Sequence, residues 1–268
     1  MPDGALTVPP LATGEAVAFS LVIPTLNERQ NLEELIAQAK TAIELAVGAS
    51  YEIIVVDDDS ADETWKLAAE IAMRDSHVLA IRRTTERGLA TAVVRGWQAA
   101  HGQWLGVIDG DLQHPPEALT RLIEALRKGA DLAVASRDVE GGGTSDWSAM
   151  RGLISRGSRA LGRVVLPKAL SRVSDPMTGY FAVRRTALAG STLNPCGYKI
   201  LVELLARAQV RTITEVGYVF RSRQHGESKA SPKVFVEYLR HLIRLRHELR
   251  QAEAAAQLKS RTAAVGKN

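Results

Sequence analysis

Apolar runs of five or six residues, each followed by a stretch with helical period, decide what this chain can fold into. Phe19–Pro24 (FSLVIP) is closed by proline, as a buried strand is. Asn27 stands where a cap belongs, ahead of Glu28 to about Val47, where Leu32, Leu35, Ile36, Ala39 and Ile43 recur at helical spacing. Tyr51–Val56 is a second run and ends on Asp57-Asp58-Asp59-Ser60, and Asp62 precedes a helical segment over Glu63–Ala72. Val78–Arg82, Trp104–Ile108 and Asp131–Ala135 read as further strands. Helical segments separate them, over Gly88–Ala100 and from Pro115-Pro116 to about Lys128, with proline at the first helical positions. Strand and helix alternate, and acids gather where strands end. The order predicts an α/β fold with a mostly parallel, Rossmann-like sheet flanked by helices, taking ligands at the carboxyl ends of its strands.

With 268 residues, 46% of them hydrophobic, the chain can bury one large core. The single cysteine, Cys196, excludes a disulfide framework and a cysteine-rich zinc site, and fits a reducing cytoplasmic compartment. Residues 1–18 lack a basic start and an apolar run, and read as a disordered leader. No apolar stretch is long enough to span a bilayer. Past residue 136 the pattern loosens. Glu140–Met150 reads as a glycine-rich loop, Arg151–Leu166 as a basic amphipathic helix and Thr212–Phe220 as a strand. The expected division is a catalytic domain over 19–230, an amphipathic basic helix over 231–252 and a flexible tail over 253–268. Residues 1–220 carry 23 basic against 26 acidic side chains, whereas residues 221–268 carry 11 against 4. The basic C-terminal part suits an anionic surface, and charge alone does not say which.

Asp109-Gly110-Asp111-Leu112-Gln113 follows a buried strand, so two carboxylates can project into one crevice. Like charges that close repel unless a proton or cation lies between them. A hard ion such as Mg²⁺ or Mn²⁺ bridging to a diphosphate would resolve the conflict, with Gln113 adding a neutral oxygen. The alternative is a polar turn whose acids cap the next helix. Asp57-Asp58-Asp59 raises the same question, with Asp58 the candidate for ligand contact and Asp59 and Asp62 candidates for capping. Arg223 and Lys229 flank a glycine in RQHGESK and can close over a pyrophosphate, or belong to an ordinary polar loop. Arg151, Ser155 and Arg159 share a helical face which, with Arg137, can hold a second phosphate or simply face solvent. His101, His114 and His241 have no partner at ligand spacing and read as surface or capping groups. Trp97 and Trp104 read as core.

In this order, the motifs resemble family 2 inverting glycosyltransferases, specifically the dolichol-phosphate (polyprenyl-phosphate) mannosyltransferase group. The matching stretches are Val22–Glu28, Ile54–Asp58, Gly88–Ala92, Asp109–Gln113, Ser136-Arg137, Arg151–Arg156, Asp175–Gly179 and Arg223–Lys229. The resemblance implies a GT-A nucleotide-sugar fold. It implies that Pro24, Leu26, Glu28, Val56, Asp58 and Gly110 meet the donor, and that Asp109, Asp111 and Gln113 bind Mg²⁺ or Mn²⁺. Asp111, Arg137, Arg223 and Lys229 would do the catalytic work, and Arg137, Arg151 and Ser155 would hold the acceptor phosphate. Gly110 stands where the group often has Ala, and Asp59 where many members have Gly.

The activity so implied is transfer of a hexose, mannose from GDP-mannose first, onto polyprenyl or dolichyl phosphate. A related transferase using UDP-glucose is the alternative within the family. Members carry C-terminal membrane spans or rely on interfacial helices and a membrane-anchoring protein partner. Pro232–Arg250, apolar on one side and arginine-rich, suits peripheral attachment to the cytoplasmic face of a membrane, and equally suits packing on the body or binding a partner helix. A receiver-like signalling domain also has acids at strand ends, but is about half this length and leaves Arg223–Lys229 without a role. The sequence shows no aromatic-basic motif for nucleic acid.

Overall fold

The computed structural model describes residues 5–11, 16–145, 149–195, 197–223, 225 and 232–265. In chain order the elements are β1 (Val17–Thr25), α1 (Arg29–Val47), β2 (Tyr51–Asp57), α2 (Thr64–Arg74), β3 (Val78–Arg82), α3 (Leu89–Ala99), β4 (Gly102–Val107), α4 (Ala118–Arg127) and β5 (Leu132–Ser136). Then come β6 (Gly143–Thr144), α5 (Ala149–Val165), α6 (Pro167–Leu170), β7 (Phe181–Arg184), a 3-10 turn (Arg185–Leu188), α7 (Ile200–Arg207), β8 (Ile213–Gly217), β9 (Val219–Phe220) and α8 (Pro232–Val265). Seven strands form the main sheet in the order β3-β2-β1-β4-β7-β5-β8. All run parallel except β7, which lies antiparallel between β4 and β5. β6 and β9 make a separate parallel pair.

Parallel strands are covered on both faces, which is why they read as unbroken apolar runs. Along β1, Phe19, Leu21 and Ile23 face a cluster built with α1 and α4, while Val22 faces the opposite cluster with α3 and α7. On α3, Gly96 allows the helix to lie directly on the sheet, since a Cβ there would come within 2.6 Å of Val22 Cγ1. Burying each leucine or isoleucine of these layers stabilises the fold by roughly 1.5–3 kcal/mol.

The starts of α1 and α2 are stitched together rather than capped one by one. Asn27 adopts a left-handed backbone, φ 54°, and does not cap α1. Its Oδ1 instead accepts from the Ala61 N–H, and its own N–H donates to Ser60 Oγ. Asp62 accepts from the N–H groups of both Arg29 and Thr64, covering orphan donors of two helices at once.

Three boundaries differ from expectation. Residues 5–11 of the expected leader lie against the body: Thr7 bridges Thr192, Val8 is buried, and Gln98 and Arg185 donate to the carbonyls of Ala5, Thr7 and Pro9. The chain enters β1 at Val17, before residue 19. α8 continues to Val265, through most of the segment assigned to a flexible tail. One side of α8 packs on the body through Tyr238, Leu242 and Leu245, and Tyr238 donates to the Ser158 carbonyl of α5. His241, expected at the surface, is fully buried with Nε2 2.8 Å from Glu203 Oε2 of α7. Val236 and Ile243 remain exposed on the other side, and Phe235 is exposed at the first turns of the packed stripe. Among the described residues no helix is long and apolar enough to cross a membrane.

Candidate active site

The strand ends of β1, β2 and β4 open into one cleft of about 470 Å³. Pro24, Leu26, Glu28, Asp58, Gly110, Asp109, Asp111, Gln113 and Arg223 line it, joined by Arg87–Leu89 and by Gly197, Tyr198 and Glu237. Nine residues picked from sequence thus meet in one place. Val56 does not: it is fully buried beneath the cleft, in the core against α3. Lys229 and the side chain of Arg151 lie outside the described residues.

The first acid cluster is already satisfied by protein. Asp57 accepts from Thr25 Oγ1 and from the Ser60 hydroxyl and N–H. Asp58 takes Arg83 Nε at 2.6 Å on one oxygen and the Gly88 N–H at 2.6 Å on the other. Asp59 sits at φ 57°, the left-handed conformation that glycine adopts without strain, and pairs with Arg82. It does not cap α2. Arg82 and Arg83, at the end of β3, therefore answer the charge of the triplet. Burial still pushes the Asp58 carboxyl up, reinforced by Asp57, against the opposing Gly88 N–H and Arg83.

The second cluster is left open. Asp109 Oδ1 is buried without a hydrogen-bond partner among the described residues, while Oδ2 lies 3.2 Å from His114 Nε2. His114 is no surface group. It is buried among Tyr180, Tyr218 and Phe220, with ring centroids 5.1–5.4 Å away. Gly179 makes room for Asp109, because a Cβ there would stand 2.7 Å from both carboxylate oxygens. Leu112, buried at φ 58°, turns the chain so that the Gln113 N–H returns to Asp111 Oδ1 at 3.1 Å. The amide of Gln113 donates to the Arg221 carbonyl, orienting its own oxygen away from that contact.

The electrostatics of the pair follow. Burial and the neighbouring Asp109 charge raise the Asp111 carboxyl above its ordinary range. At Asp109, burial is outweighed by His114 and by the charges of Lys199 and Arg223, and the carboxyl is lowered. Arg223 spans the cleft, with Nη2 2.6 Å from Asp111 Oδ2 and Nη1 3.5 Å from Glu28 Oε1. No three His, Cys, Asp or Glu side chains among the described residues can hold a metal by themselves. Two carboxylates and an amide oxygen fit Mg²⁺ or Mn²⁺ in the manner of sites that substrate phosphates complete.

Beside the cleft, Arg137 makes a two-pronged pair with Asp175, Nε at 2.6 Å and Nη2 at 2.8 Å. Arg159 joins it through Asp138 at 2.6 Å and Asp175 at 3.9 Å. Ser155, one turn earlier on α5, is half-buried. Sequence reasoning passed over Lys199, whose Nζ donates to the Met177 carbonyl at 2.5 Å, and Glu237, the α8 carboxylate on the cleft wall. Neither stands in a spacing that announces a ligand.

A cleft at the carboxyl ends of parallel strands, with paired acids facing an arginine, lies where open α/β sheets take their ligands, and the frame around it is a GT-A fold. The sequence model of glycosyl transferase family 2 matches residues 20–189, and the chain belongs to that family. It is 47% identical over 226 residues to a dolichol-phosphate mannosyltransferase of Pyrococcus furiosus, an alignment covering 84% of this chain and 63% of that protein. The chain therefore spans less than two thirds of that relative's length. Identity to a dolichol-phosphate mannosyltransferase of Mycosarcoma maydis is 36% over 244 residues, covering 87% and 81%. Glucosyl-3-phosphoglycerate synthase of Mycobacterium tuberculosis, solved with Mn²⁺ and UDP, superposes with a TM-score of 0.63 at 22% identity, covering 87% of this chain and 80% of that one. The same protein has been crystallised with Mg²⁺. That likeness is one of fold.

Proposed function

We propose that this chain transfers mannose from GDP-mannose onto a polyprenyl phosphate such as dolichyl phosphate, with inversion at the sugar and with Mg²⁺ or Mn²⁺ in the cleft. The open oxygen of Asp109, set opposite Arg223, carries the reading, and the relatives named as dolichol-phosphate mannosyltransferases support it. A divalent ion held by Asp109, Asp111 and Gln113 would neutralise the diphosphate as it leaves. Pro24, Leu26, Glu28 and Asp58 form the wall that takes the nucleotide. Arg223 exchanges Asp111 for the diphosphate, placing its charge where negative charge develops.

A phosphate monoester has a second pKa of about 6 and is largely dianionic near neutral pH, so the acceptor is its own nucleophile. Its oxygen forms the bond to the anomeric carbon as the carbon–oxygen bond to the diphosphate breaks, and the electron pair leaves on the nucleoside diphosphate. No general base is required. Arg137 and Arg159, gathered around Asp175, and Ser155 on α5 are the groups assigned to that phosphate, with Arg151 assigned there on the family resemblance alone. The test offers GDP-mannose, UDP-glucose and UDP-N-acetylglucosamine separately, each with Mg²⁺ or Mn²⁺ and a polyprenyl phosphate. Labelled lipid from GDP-mannose is expected. Labelled lipid from UDP-glucose alone would replace the donor, and none from any would remove the reading.

The acceptor lies in a membrane, and α8 offers a means to reach it. Val236 and Ile243 face outward, with Arg240 exposed between them. We read this side as lying on anionic lipid at the cytoplasmic face of a membrane, with or without an anchoring partner. Ile243→Glu should lower binding to phosphatidylserine vesicles about tenfold at low salt, measured by flotation. Equal flotation would remove α8 as the anchor.

A further inference from the structure

The Asp175–Gly179 segment joins the two halves of the site. Asp175 holds Arg137 at its acceptor end, and Gly179 cradles the Asp109 carboxylate at its donor end. Between them the Met177 carbonyl accepts from Lys199 Nζ at 2.5 Å, and the ammonium also rests 4.3 Å from the centre of the Tyr198 ring. Gly197 and Tyr198, the residues before it, line the cleft. A cation therefore stands at the seam between donor and acceptor.

Holding a carbonyl in place needs a donor but not a charge, and a charge taken from water is costly. The nearby acids have closer hydrogen-bond partners, Asp175 in Arg137 and Arg159 and one oxygen of Asp109 in His114, and they act on Lys199 through charge alone. Among the described residues no carboxylate pairs with Lys199, and Met177 is the one hydrogen-bond partner of a group with three donors. Burial, then the like charge of Arg137, lower its pKa to about 8 against the pull of Asp109 and Asp175. Among the described residues the fold keeps an ammonium there with no carboxylate in hydrogen-bond contact.

The reaction proposed above supplies a reason. It brings a phosphate dianion up to a diphosphate, and like charges that close repel unless a cation lies between them. We propose that Lys199 contacts the acceptor phosphate at this seam, offsetting that repulsion and turning the attacking oxygen toward the anomeric carbon. The inference rests on the transferase reading.

Three variants separate charge from structure. Lys199→Met removes charge and donor, Lys199→Gln keeps a donor for the Met177 carbonyl, and Lys199→Arg keeps the charge. For Met and Gln alike, the acceptor KM should rise about tenfold and kcat fall 10- to 100-fold, while the calorimetric Kd for GDP with Mn²⁺ stays within twofold. Arg should recover most of the loss. The ratio of transfer to slow hydrolysis of GDP-mannose by water should also fall at least tenfold, because water is a neutral acceptor. That ratio does not depend on how much of a variant is folded, so it decides the matter even if a variant melts early. Wild-type behaviour in Lys199→Gln, an unchanged ratio, or a loss confined to donor affinity would overturn the assignment. If wild-type protein labels no polyprenyl phosphate, the transferase reading itself falls. If wild type works and the ratio holds in the variants, only the role of Lys199 falls.

Discussion

The two acid clusters at the mouth of the sheet, Asp57–Asp59 and Asp109–Asp111, look alike as strings of residues and are treated oppositely by the fold. Around Asp57–Asp59 the carboxylates are met by Thr25, Ser60, Gly88, Arg82 and Arg83. Among the described residues, Asp109 and Asp111 keep one buried oxygen without a hydrogen-bond partner, and Arg223 faces them across the cleft. A carboxylate whose lone pairs are filled by its own chain is a brace. One left wanting is a socket for something brought in from outside. The count of acids does not tell them apart, but the count of donors does.

Three substitutions test that contrast, beginning with the largest expected effect. Asp109→Asn should lower transfer at least 1,000-fold and abolish Mn²⁺-dependent binding of GDP by calorimetry, with the melting temperature at most slightly lower, since His114, Lys199 and Arg223 favour the charged carboxyl in the fold. Asp57→Ala should do the reverse. Three donors lose their acceptor, and chemical denaturation should report a loss of about 3 kcal/mol while Mn²⁺-dependent GDP binding persists. If both variants lose both properties, the clusters are not distinct. The smallest effect belongs to Asp111→Asn. The Asp111 carboxyl is raised in the folded chain, so its contribution is fully present below the unfolded-state pKa and is lost as pH rises through the folded one. Without metal, the variant should melt a few degrees above wild type at pH 7, with the gap closing in acid. A constant gap from pH 4 to pH 8 would show that Asp111 carries no such strain.

Most of the frame was legible because its strands are buried on both faces. β1 to β5 stand within about two residues of the apolar runs that announced them, and α1 to α4 follow their helical spacing. The unforeseen elements lack those signals. β7 has only four residues, Phe181–Arg184, and takes its place by pairing antiparallel with two strands distant in sequence. α7 buries Ile200, Leu201, Val202, Glu203, Leu204 and Leu205 in succession, which leaves no periodicity to read. The partners Arg83–Asp58, His241–Glu203 and Arg137–Asp175 are 25, 38 and 38 residues apart. Pairings at such range are made by the fold, so His114 and His241 could not be recognised as buried groups beforehand. The site residues came through the order of several motifs, since no one of them was specific.

α8 deserves a mechanical description. Its 34 residues make a rod of about 50 Å, pinned near its first third where His241 meets Glu203. One turn before the pin, Glu237 forms part of the cleft wall, and half a turn after it Ile243 points outward. Leu242, Leu245 and the pairing of Glu248 with Arg207 seat the turns that follow, so one firmly held segment carries both a cleft-wall carboxylate and an outward-facing isoleucine.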